Sequence, residues 1–123
     1  MLFLSGEYKG LKYNKSLAIE SAKFLQKHYF PDDFFVSGIF SFSTEYEELE
    51  YEKSMNNCLE LLSKCDGVVF LSNYLNSVGA KIEKDFVKDK QYIKKYYFDY
   101  IERTLYKMHD NGNLELIKAS ISV

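Results

Sequence analysis

The stretch Gly67-Val68-Val69-Phe70-Leu71 constrains this chain more than any other. It is apolar throughout and shows no polar alternation, a pattern that fits a strand covered on both of its faces. Strands of that kind belong to parallel sheets, whose connections are helices lying above and below. The flanking sequence should therefore alternate strand-length apolar runs with amphipathic helices.

The rest of the chain follows this pattern. Residues 1–4 form a short apolar run that breaks at Ser5-Gly6, as a buried first strand followed by a loop would. From Asn14, read as an N-cap, Ala18, Ala22, Leu25 and Tyr29 recur at helical spacing until Pro31 closes the pattern. Residues 34–40 predict a second strand. Thr44-Glu45-Tyr46-Glu47 fits a capping box, with Glu45, Glu47 and Glu48 near the positive end of the next helix. Met55, Cys58, Leu59 and Leu62 form the apolar stripe of that helix. A third helix is expected over residues 77–87, with Val78, Ile82 and Phe86 facing inward. Residues 91–97 fit a fourth strand, Tyr97, Ile101, Leu105 and Met108 a further helical stripe, residues 110–112 a turn and residues 114–123 a final strand. The whole describes one α/β domain over residues 1–123, with a mainly parallel sheet of four to five strands.

Charge and composition narrow the function classes. Sixteen basic and eighteen acidic side chains leave a formal net charge of -2, so no global field favours a nucleic acid polymer. No apolar run approaches the roughly 18 residues of a membrane span, and no membrane partner is expected. The opening MLFLSGEYKG lacks the basic start and long apolar segment of a signal peptide. Cys58 and Cys65, the only two cysteines, are expected to be reduced, which together point to a cytoplasmic location. His28 and His109 are far apart and no Cys/His cluster exists, so no metal and no cofactor are expected.

In parallel sheets ligands bind beyond the carboxyl ends of the strands, which brings two loops to one rim. The first is Ser5-Gly6-Glu7-Tyr8-Lys9-Gly10, where two glycines allow close backbone approach and the following helix offers free N–H groups to an anion. It lacks the spacing of a Walker loop. The second carries Ser77 and Gly79 at the start of a helix, a hydroxyl and uncapped amides suited to a phosphate or sugar oxygen. Glu83 follows Ser77 by six residues, nearly two turns on, and is expected on Ser77's side of the helix. It follows Gly79 by four, so no side chain from the preceding turn screens it. A carboxylate so placed can attack the anomeric carbon of a ribosyl group. Read without further context, the same glutamate also fits a solvated surface shared with Lys81, Lys84 and Lys88.

The segments Phe3-Leu4-Ser5-Gly6-Glu7-Tyr8-Lys9-Gly10 and Cys65-Asp66-Gly67-Val68-Val69-Phe70-Leu71, then Tyr74 and Ser77-x-Gly79-Ala80-x-x-Glu83, resemble the nucleoside 2-deoxyribosyltransferase superfamily. The resemblance implies a flavodoxin-like three-layer sandwich, a homodimer or higher homo-oligomer, and cleavage or transfer of the N-glycosidic bond of a deoxynucleoside or its 5'-monophosphate. It makes Glu83 the nucleophile and sets Ser77 where the monophosphate-cleaving branch contacts phosphate. Lys9 stands where that branch has an arginine, keeping the charge without the bidentate fork. Two positions depart from the pattern. Phe3 replaces an aromatic hydroxyl, and Cys58 replaces the aspartate that handles the leaving base. They favour the alternative, a module that binds, senses or sequesters a nucleotide or an ADP-ribose-like ligand without reacting with it. In either case the expected partner is a small nucleotide or nucleoside, held by Ser5, Gly6, Glu7, Tyr8, Lys9, Gly10, Ser77 and Gly79.

Overall fold

The computed structural model describes residues 1–8, 12–40 and 51–119. Strands β1 (Leu2–Ser5), β2 (Phe35–Val36), β3 (Gly67–Leu71), β4 (Lys94–Asp99), β5 (Thr104–Met108) and β6 (Leu114–Ile117) form one sheet in the order β2-β1-β3-β4-β5-β6. Helices α1 (Lys12–His28), α2 (Tyr51–Ser63) and α3 (Val78–Val87) connect the first four strands, with a short 3-10 turn at Tyr74–Asn76 ahead of α3. The β2–β1, β1–β3 and β3–β4 pairings are parallel, whereas β4–β5 and β5–β6 are antiparallel.

The expected flavodoxin-like sheet of four to five mainly parallel strands is therefore corrected to a six-stranded mixed sheet, antiparallel in its C-terminal half. The cause is local. The Asp99 carboxylate accepts hydrogen bonds from the backbone N–H groups of Ile101 (3.0 Å) and Glu102 (3.1 Å), and Arg103 adopts a φ of 54°. Both features reverse the chain. The spacing of Tyr97, Ile101, Leu105 and Met108, read as a helical stripe, instead straddles two paired strands. Leu105 faces Phe98 across the hairpin and is fully buried.

Elsewhere the departures are smaller. All five residues of β3 are buried, as its unbroken apolar run requires. β2 is only two residues long against the seven expected, because Ser37 leaves the sheet and its hydroxyl donates to the Leu4 carbonyl at 2.7 Å. β4 begins at Lys94 rather than residue 91, and β6 covers Leu114–Ile117 of the expected final strand, of which residues 120–123 lie outside the described residues. Asn14 lies within α1 rather than capping it. The capping box at residues 44–47 lies outside the described residues.

Alternation along the strands divides the core between the two faces of the sheet. Phe3, Val68 and Phe70 join Leu62 of α2 and Ala80 and Val87 of α3. Leu4, Val69 and Leu71 join Ala18 and Leu25 of α1. The buried face of α3 is Ala80, Glu83 and Val87; of the expected inward residues Val78 is 68% exposed, Ile82 is half-buried and Phe86 packs, partly buried, against the core. A carboxylate thus occupies the inward stripe of a core helix, where an apolar residue would ordinarily sit.

Candidate functional site

β1 ends at Ser5 on the sheet face that carries Phe3, because residues two apart along a strand point the same way. Phe3 is spent on the core, packed among Phe70, Tyr74 and Ala80. Ser5, one step further toward the carboxyl end, meets α3. Its Oγ donates a buried hydrogen bond of 2.6 Å to Oε1 of Glu83.

Ser77 caps α3. Its hydroxyl accepts from the Ala80 N–H at 3.1 Å, while the Val78 and Gly79 amides, in the first turn, have no acceptor within the helix. A Cβ placed on Gly79 would meet only ordinary contacts, to Met55 Sδ and Ser77 Oγ at 3.8 Å. That glycine keeps the helix mouth open rather than relieving a clash. Ser77 and Glu83 do not share a helical azimuth as expected, since at about 100° per residue six steps leave them roughly 120° apart. They face one space because Ser77 stands outside the helix as its cap while Glu83 points under it.

The first loop is held by Asn73, which sequence reasoning did not single out, and by Asn14, read there as an N-cap. The Glu7 N–H donates to Asn73 Oδ1 at 3.1 Å, and Asn14 Nδ2 donates to the Tyr8 carbonyl at 3.1 Å and to Glu7 Oε1 at 3.3 Å. A Cβ on Gly6 would stand 2.9 Å from Asn73 Oδ1 and 3.0 Å from Leu71 Cδ1, so only glycine lets the loop pass this closely. Lys9 and Gly10 lie outside the described residues.

These elements enclose a cavity of about 200 Å³. Gly6 and Tyr8 line it from the first loop, and Ser77, Gly79 and Glu83 line it from α3. Its far wall is made by Gly38 and Ile39, after β2, and by Ser54, Met55 and Cys58 of α2. Gly38 touches that helix so closely that a Cβ there would fall 2.5 Å from Cys58 Sγ. Of the expected site residues, Gly6, Tyr8, Ser77, Gly79 and Glu83 line the cavity and Ser5 reaches it through Glu83, while Glu7 serves to fasten the loop. Ser54 carried a usable signal, since it precedes Cys58 by one helical step. The approach of Gly38 to Cys58 had none, because it joins distant segments.

Burial governs the electrostatics. Glu83, 7% exposed, is pushed up from an ordinary 4.5 to about 7 by loss of water, and the Ser5 hydrogen bond pulls in the opposite direction. Burial also raises the Cys58 thiol, to about 12, with the negative charge of Glu83 adding to the shift. Cys58 is therefore a neutral group at physiological pH and Glu83 is poised between its two forms. Among the described residues no lysine or arginine lines the cavity. Lys84, one residue from Glu83, is turned to Tyr74, with its Nζ 3.2 Å from the phenol oxygen and 5.2 Å from the ring centre. Asp66 takes no part: its exposed carboxylate precedes β3, at the opposite end of the strand from the cavity.

Among the described residues no group of His, Cys, Asp and Glu side chains is arranged to hold a metal ion, and no helix is long and apolar enough to cross a membrane. Both cysteines carry free thiols. Compared with known proteins, residues 1–95 match the model of one protein family, described as Domain of unknown function (DUF4406). No curated protein and no solved structure matches.

Proposed function

We propose that this chain, which belongs to the DUF4406 family, binds a deoxynucleoside or its 5'-monophosphate and cleaves or transfers its N-glycosidic bond through Glu83. The observation that carries the proposal is the buried 2.6 Å hydrogen bond from Ser5 to Glu83 on the wall of a cavity that begins at a helix N-terminus. A carboxyl in the inward face of a core helix costs stability unless it is paired and hydrogen-bonded, and Glu83 is kept there with the Ser5 hydrogen bond. Here it is aimed, with Oε1 held by Ser5 and its second oxygen left for chemistry.

In this mechanism the ionised Glu83 oxygen bonds to the anomeric carbon as the bond from that carbon to the base nitrogen breaks. The base leaves with the electron pair and takes a proton from water. Water, or a second base in transfer, then attacks the same carbon and frees the carboxylate. The Val78 and Gly79 amides and the Ser77 hydroxyl supply donors for a 5'-phosphate, and Lys9 is the proposed counter-charge. Because attack needs the ionised form, the rate should rise through about pH 7.

Base release from a panel of deoxynucleosides and their 5'-monophosphates, followed by chromatography, tests the proposal. Release abolished in Glu83→Gln is the expected result, and no release from any member of the panel would refute catalysis. One observation favours a second reading. The neutral Cys58 thiol offers no carboxylate to a leaving base, so a module that binds or sequesters a nucleotide or ADP-ribose-like ligand also fits the cavity. Ligand-dependent thermal stabilisation without base release would select it.

A further inference from the structure

The hydroxyl of Ser54 is left over. It is 8% exposed, lines the cavity, and its Oγ has no hydrogen-bond partner. A serine within a helix commonly satisfies itself by donating to a backbone carbonyl one turn back, and among the described residues Ser54 has no such partner. A buried polar atom without a partner destabilises the fold, and an alanine at this position would remove that cost. The oxygen is covered as placed, but the residue lines the cavity, so a change of χ1 rotamer brings the hydroxyl to a ligand there.

The surroundings define what that ligand group is. Ser54 sits one turn before Cys58 and next to Met55, across from Gly38 and Ile39, so its hydroxyl is set among apolar and weakly polar neighbours, while Ser37, also on the lining, is already engaged with the Leu4 carbonyl and the Ile39 N–H. If Glu83 addresses the anomeric carbon and the start of α3 receives the phosphate, the remaining substituent of that carbon is the base. The cavity wall left for it is this one. A hydroxyl both donates and accepts, which suits the amide or amino edge of a neutral heterocycle.

We infer that Ser54 is a base-recognition residue, whose hydroxyl hydrogen-bonds the polar edge of the nucleobase in a bound nucleotide. The inference rests on the proposed function, and the test separates the two. Binding of deoxynucleoside 5'-monophosphates and of 2-deoxyribose 5-phosphate, which lacks the base, is measured by calorimetry for the unaltered chain and for Ser54→Ala. At pH 5.5 Glu83 is protonated and turnover is suppressed. Ser54→Ala should weaken the nucleotides about tenfold, the worth of one hydrogen bond, and leave the sugar phosphate unchanged. Without ligand the variant should melt at the same temperature or higher, since it removes an unsatisfied group.

Three results would overturn the inference alone. They are equal nucleotide affinity in both proteins, an equal loss for the nucleotide and the sugar phosphate, or a lower melting temperature with affinity intact, which makes Ser54 structural. Failure of the unaltered chain to bind any nucleotide would overturn the proposed function as well.

Discussion

Replacing Glu83 by Gln should stabilise this protein at alkaline pH and not at acid pH. In the unfolded chain the carboxyl ionises with an ordinary value of 4.5, whereas burial in the folded chain holds it near 7. Between those values the folded state keeps a proton that the unfolded state has lost, so stability falls as pH rises. The stability linked to this group is fully present below about pH 4.5 and is lost as the pH climbs through about 7. At pH 8 the penalty is on the order of 3 kcal/mol; at pH 5 it is below about 1 kcal/mol. Glutamine keeps a carbonyl to accept from Ser5 and carries no charge. Its amide protons need new partners, which adds an offset independent of pH. The assay is therefore the difference in melting temperature or urea midpoint between Glu83→Gln and the unaltered chain, followed from pH 4 to pH 8. For a domain of this size the difference should grow by on the order of 10 °C toward alkaline pH. A difference that is flat across that range would refute the placement of Glu83 in a water-poor site.

Two further substitutions probe the supports of the site. Ser5→Ala removes the one hydrogen bond that favours the charged form of Glu83, so the carboxyl should titrate above 7 when followed by carbon-detected NMR; a downward shift would contradict the assigned bond. Gly38→Ala drives a methyl into Cys58 Sγ and should destabilise by roughly 1–3 kcal/mol. Pairing it with Cys58→Ala should restore part of the loss in a urea titration, and purely additive losses would show that the two residues do not touch.

Several pieces of the site were readable along the chain because they depend on local patterns. Ser77-x-Gly79 marks a helix mouth through small residues and capping chemistry, and the structure puts the cap at Ser77. The inward face of α3 departs from its apolar spacing at Val78 and Glu83, for an equally local reason. Val78, Ile82 and Phe86 are the apolar residues at helical spacing, and nothing along the chain shows that the helix spends part of its inward face on a carboxylate. The C-terminal half failed at Asp99. Tyr97, Ile101, Leu105 and Met108 recur at steps of three and four, as a helix face does, and only the turn made by Asp99 and Arg103 sends Tyr97 and Leu105 to different strands and opposite faces of the sheet.

What the sequence determined by itself was the order of the first strands and helices, the burial of β3, and the presence of a glutamate after a glycine-softened helix start. These rest on periodicity and on intrinsic backbone preferences, which act over a few residues. Tertiary structure alone decided that Ser5 meets Glu83 across 78 positions, that Asn73 pins the first loop, that Gly38 leans on Cys58, and that Ser54 is left without a partner beside them. Contacts of that kind join segments far apart in the chain, and the perturbed carboxyl follows from them: its burial is a property of the packed layers, not of the residues on either side of it.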